Sequence, residues 1–222
     1  MNRRDKKDEG PAAPLKTTRP ASAVPAVPLI PSNPDGFIPP HGGYESLHSY
    51  QKALIVYDAT LHFCRRFMDK KDRTFDQMVQ AARSGKQNIV EGSQISGTSK
   101  ELEIKLTNVA RASLQELQED YRDFLRSRGL EEWTLQHSHT RRLRQLNRTP
   151  GANYETFKKG IEHPDPAICA NVILGLTKLT CYLLDQQIRH LEQAFIESGG
   201  MREAMTRARL NYRGKGQRGP KP

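Results

Sequence analysis

Few side chains in this 222-residue sequence stand at spacings that support chemistry. Glu45 and His48 form one Glu-x-x-His pair, but a di-iron bundle needs two such pairs and two further glutamates around a common centre. No second pair occurs. Glu91 and Glu116 suggest an acid/base pair, because buried carboxylates shift in pKa. No nucleophile, phosphate loop or cofactor motif accompanies them, so structural hydrogen bonding is the better reading. His137 and His139 could reach a metal, yet a histidine pair in a basic stretch reads as polar surface. Cys64, Cys169 and Cys181 sit in apolar helical patterns without the short paired spacing of a zinc knuckle or disulfide framework, and read as buried thiols. The sequence therefore predicts no catalytic residue, no metal and no cofactor.

The stronger signal is basic charge. The formal net charge is +10 and is unevenly placed. Residues 44–138 sum to about zero, whereas 139–149 carry +4 and 201–222 carry +6. Arg141, Arg142, Arg144 and Arg148 have no acidic residue among them, a pattern that gains affinity for a phosphate backbone through counterion release. The C-terminal segment adds Arg202, Arg207, Arg209, Arg213, Lys215, Arg218 and Lys221, with Tyr212 placed to stack on a base. Its RGKGQRG run resembles Arg/Gly segments that bind RNA without fixed structure. The plainer reading of both runs is solvated surface that only aids solubility.

Helices must position these residues. Residues 1–36, rich in proline, alanine and charge, read as a disordered arm. The first helix spans about 45–70, with Leu47, Tyr50, Leu54, Tyr57, Leu61, Cys64 and Phe67 on one face. The second spans about 75–91 and opens on Thr74 with Gln77, the third about 99–128 on Thr98 with Glu101, both capping-box signatures. The third carries a stripe from Leu102 through Leu106, Val109, Ala110, Ser113, Leu117, Tyr121 and Phe124 to Leu125, and stops at Gly129. A basic insertion, 131–163, holds a short helix near 134–147 and then a loop. Asp165-Pro166 starts a fourth helix, 166–198, that ends at Gly199-Gly200. The suffix, 201–222, opens with a stretch suited to a short basic helix, whereas Gly214 to Pro222 is not. Ser84, Asn88, Glu91, Ser113 and Glu116 fall in or beside the facing stripes of the second and third helices and are expected to satisfy one another or nearby backbone as a structural polar core. Small residues around Gly85 predict a closely approaching neighbour. No apolar run is expected to reach the roughly 20 residues of a membrane span, and no signal-peptide core forms. A cytoplasmic protein without membrane contact is expected.

Gln77, Ala81, Ser84, Asn88, Ile89, Glu91 and Gly92, followed by Lys100-Glu101, Ala110, Ser113, Glu116 and Leu117, resemble the bacterial four-helix-bundle proteins first noticed in intervening sequences of large-subunit ribosomal RNA genes. The accessory variability protein of diversity-generating retroelements looks like another branch of that family. FIPPHGGY at Phe37 to Tyr44 and the run from Gly199-Gly200-Met201 fit a version with a C-terminal suffix domain, and the resemblance covers most of 37–212. Gln80 and Gly85 stand where arginine and isoleucine are usual. The resemblance implies a homo-oligomer, a pentamer favoured, and a reverse transcriptase as partner.

The fold expected is all-α: an antiparallel up-down four-helix bundle over 37–200, with a disordered Pro-rich N-terminal arm and a basic C-terminal suffix. The function expected is non-enzymatic nucleic-acid binding, RNA rather than DNA. The alternative is a protein-protein scaffold with no nucleic-acid role.

Overall fold

Helix signals dominate the sequence, and the described residues of the computed structural model, Ile38 and 40–216, contain helices and turns but no strand. The fold class is all-α. After a 3-10 turn at Tyr44–Ser46 come α1 (His48–Phe67), α2 (Arg73–Ile95), α3 (Lys100–Ser127), α4 (Ser138–Asn147), α5 (Tyr154–Ile161), α6 (Pro166–Ser198) and α7 (Met201–Gly216). Side chains are described to Arg213. The N-terminal arm expected over 1–36, and Arg218 and Lys221, lie outside the described residues.

Capping chemistry sets the helix starts, and two caps differ from the sequence expectation. Asp72, not Thr74, caps α2 by accepting from Thr74 N. Ser99, not Thr98, caps α3 by accepting from Leu102 N. In both cases a residue of extended backbone immediately before the helix has its side-chain oxygen aimed at the unsatisfied amides of the first turn. Asp165 caps α6 with Pro166 in the first turn, as expected. Where a loop was expected after residue 147, α5 forms. Asn153 and Thr156 bond each other's backbone at its start, and Phe157 and Ile161 bury its inner face. The suffix helix runs on through Gly214-Lys215-Gly216 rather than ending at Arg213.

The four long helices α1, α2, α3 and α6 share one core. Ser84 of α2 meets Ser113 of α3, and Gly92 approaches Glu103, so these two run in opposite senses. Arg111 pairs with Asp185 and Gln118 with Cys181, which sets α6 against the direction of α3. Ser49 bonds Gln187, while Arg66 reaches Glu162 just ahead of α6, so α1 also opposes α6. At the centre, Phe63 meets Tyr121 and Phe124 edge-on at 5.1 and 4.7 Å. The fully buried Tyr121 gives its hydroxyl hydrogen to Thr60. Gly85 takes the close approach: a Cβ there would lie 2.6 Å from Leu114 Cγ.

Two expectations about apolar surface change. Leu102 and Val109, read as core, are 38% and 45% exposed, while Glu103, Thr107, Leu114 and Gln118 take the inward positions. The contact line on α3 therefore begins one residue further along than the stripe suggests. The reading that no run approaches a membrane span is also corrected. From Pro166 onward the chain holds an 18-residue window of mean hydropathy 1.7, long and apolar enough by length and composition to cross a membrane. Isoleucine, valine, cysteine and alanine between the leucines keep its hydropathy high, and 61% of the window is buried in the fold.

Candidate nucleic-acid interface

An amide, an ion pair and a leucine fasten the arginine-rich insertion to α6. Asn171, 4% exposed, accepts from Trp133 N at 2.8 Å and donates to Glu131 O at 2.9 Å, so it holds the extended segment that leads to α4. Glu132 between them bonds Lys178 and Arg122. Burial alone would raise the Glu132 carboxyl, but these two cations outweigh it and hold it below the ordinary range. Trp133 then stacks with His137 at 4.8 Å and His139 at 4.9 Å, and His137 caps α4.

Helix α4 rests on α6 through Leu143, and Gly175 makes the seat. A Cβ at Gly175 would meet Leu143 Cδ2 at 2.6 Å, so a larger residue there would require the Leu143 side chain to shift. Arg141, Arg142 and Arg144 lie on α4 and Arg148 is its C-cap, all four exposed. No acidic residue occurs from Trp133 to Tyr154. Thr140, Leu143, Arg144, Asn147 and Arg148 fall at helical spacing and form one wall of a cleft of about 750 Å³, leaving Arg141 and Arg142 outside it. Leu174, Lys178, Tyr182 and Leu183 of α6 form the opposite wall, and His48 and Lys52 of α1 contribute to it. Lys52 is 9% exposed, its Nζ donating to Ala152 O at 3.4 Å and lying 4.8 Å from the centre of the Phe157 ring. Burial lowers its pKa. Lys52 was not foreseen from the sequence, where it is one lysine in an amphipathic helix.

The suffix arginines Arg202, Arg207, Arg209 and Arg213 are exposed on α7, Tyr212 is 81% exposed, and Lys215 belongs to the last turn of α7. Arg207 donates to Ser198 O at the end of α6. Among the described residues no hydrogen bond or ion pair joins α7 to α4, so the two basic segments are separate features.

The expected polar core is smaller than the sequence suggests. Ser84 Oγ and Ser113 Oγ lie 2.9 Å apart, and Asn88 Nδ2 donates to Ser84 O and Oγ. Glu91 and Glu116 are exposed and make no hydrogen bond among the described residues, so they join neither this network nor an acid/base pair. Glu45 lies in the 3-10 turn and His48 in the cleft, and no cluster of three potential metal ligands occurs among the described residues. The three cysteines are buried and free.

Comparison of the chain with protein-family models, with curated proteins and with solved structures finds no match. The functional reading accordingly rests on charge, exposure and geometry.

Proposed function

We propose that this chain is a non-enzymatic nucleic-acid-binding protein, RNA its preferred ligand, built as an antiparallel up-down four-helix bundle with a basic suffix. The opposed senses of α1, α2, α3 and α6 support the bundle. The observation that carries the binding role is α4: four exposed arginines with no carboxylate between Trp133 and Tyr154, beside a cleft that contains Lys52. Such a surface attracts a polyanion whatever its sequence, and exposed Tyr212 adds a stacking platform that accepts any base. The family resemblance extends the proposal to a cytoplasmic homo-oligomer of five subunits that assists a reverse transcriptase. A ring would repeat the basic segments about an axis and raise avidity for a long strand.

The test is a salt titration of single-stranded RNA binding. For single strands the logarithm of affinity falls by about 0.7 per phosphate neutralised, so six engaged cations give a slope near −4, roughly. Removing residues 201–222 lowers affinity and slope, and changing Arg141, Arg142 and Arg144 together to alanine lowers them further. Equal slopes for all three proteins would make the basic segments solubility tails and leave the scaffold reading in their place.

A further inference from the structure

We propose that the cleft between α4 and α6 binds a nucleoside 5′-monophosphate unit, its phosphate among Lys52, Arg144 and Arg148 and its base against Tyr182 and the apolar wall. The unit is either a free nucleotide or one residue of a single strand. In the second form the inference rests on the nucleic-acid reading; in the first it goes beyond it.

Three features carry it. The volume, about 750 Å³, suits a small ligand and lies within the usual range for such sites. Its charge is one-sided: Lys52, Arg144, Arg148 and Lys178 face one carboxylate, Glu132, which is already engaged by Lys178 and Arg122. Lys52 is the decisive cation, because a buried ammonium with only a carbonyl and a ring for company is costly and an incoming anion offsets that cost. The remaining wall is apolar, and Tyr182 stands 59% exposed beside it. An inorganic anion would leave that wall uncovered. An acyl chain would cover it, but would offer Tyr182 no flat face to stack against. A phosphorylated nucleoside brings a charged end, a flat face and hydrogen-bonding edges together.

The cleft contains its own reporter, since Trp133 is the sole tryptophan of the chain. The full-length protein is titrated with adenosine 5′-monophosphate, adenosine and inorganic phosphate, with Trp133 fluorescence excited at the red edge to avoid base absorption. Adenosine 5′-monophosphate is expected to change the emission with a dissociation constant of about 1 mM or lower, adenosine to bind more weakly, and phosphate to compete only poorly. Two charge-matched variants decide whether the site is the cleft. Arg144→Ala with Arg148→Ala, on the cleft wall, weakens nucleotide binding roughly tenfold, the cost of losing a charge-assisted bond. Arg141→Ala with Arg142→Ala, on the same helix but outside the cleft, leaves it within about twofold. All four side chains are exposed, so neither variant threatens the fold. Lys52→Met, checked for unchanged helicity, gives a loss like that of the cleft pair. Equal losses from both pairs, equal binding of phosphate and nucleotide, or no response to the nucleotide would each overturn the proposal. RNA binding without nucleotide binding sinks this inference and spares the wider reading; nucleotide binding without RNA binding does the reverse and identifies the free form as the ligand.

Discussion

Asn88 shows what a small amide does between two close helices. Its Nδ2 bonds both oxygens of Ser84, whose hydroxyl meets Ser113 on the facing helix. Asn88→Leu removes the donor and is expected to destabilise by about 1–2 kcal/mol in urea unfolding. Unchanged stability with lost RNA binding would make it a contact residue instead. That Asn88 would meet Ser84 was legible from its small, polar neighbours; that Glu91 and Glu116 stand apart was not. Successive residues turn about 100° around a helix, and Gly92 takes the close approach to α3, so Glu91 is carried round to solvent. The thiols make a second residue-scale prediction. Burial pushes Cys64 and Cys169 up to about 12 and Cys181 up to about 11 from the ordinary 9.0. The folded chain therefore holds these protons more tightly than the unfolded chain. Their stabilisation is complete below pH 9 and is lost as pH rises from there toward 11–12, by at most about 1.4 kcal/mol per pH unit for each thiol. Lys52, lowered by burial, works in the other direction, whereas Tyr50, Tyr121 and Tyr154, raised by burial, work with the thiols. Melting curves should show a falling Tm between about pH 9 and pH 10.5, and Cys169→Ala should make the fall shallower.

At the scale of the element, Gly85 sets two opposing effects against each other. Gly85→Ala gains about 1 kcal/mol of helix propensity, but its Cβ would lie 2.6 Å from both Cγ and Cδ2 of Leu114, a side chain with no exposed surface to move into. Overpacking of this kind costs about 1–3 kcal/mol, so the net expectation is a loss, read as a lower urea midpoint at unchanged slope. The sequence announced this contact because small residues gather around Gly85. It announced α6 equally well, since Asp165-Pro166 and Gly199-Gly200 mark both ends with unambiguous backbone chemistry. It did not announce α5, because two buried residues, Phe157 and Ile161, make too short a pattern to stand out from a loop. On α3, Leu102 and Val109 mislead for a different reason. Periodicity reports which residues share a face, whereas the partner helices decide which face is covered, and there they cover Glu103 and Thr107.

For the whole molecule, the suffix is an attachment to a core complete without it. The bonds of α7 to the rest of the described chain are local, from Arg207 to Ser198 and from Gly200 to Glu203, and its side chains are mostly exposed. A protein shortened after Gly200 should keep its thermal midpoint while losing RNA affinity and salt slope; a molten, dye-binding product would mean that α7 helps close the core. The basic runs were legible as charge along the sequence, but the cleft was not. Its walls come from residues as distant as Lys52, Arg144 and Lys178, which only the packing of α1, α4 and α6 brings together. The apolar window of α6 also governs how the molecule is made. The helices that cover it, α1, α3, α4 and α5, all precede it in the chain, so α6 leaves the ribosome toward a groove already synthesised. At about 5–20 residues per second the window takes only seconds to emerge. During that interval it exposes the apolar surface it will later hide. Slower elongation beyond Pro166 is therefore expected to lengthen that exposure and raise the share of new chains that aggregate.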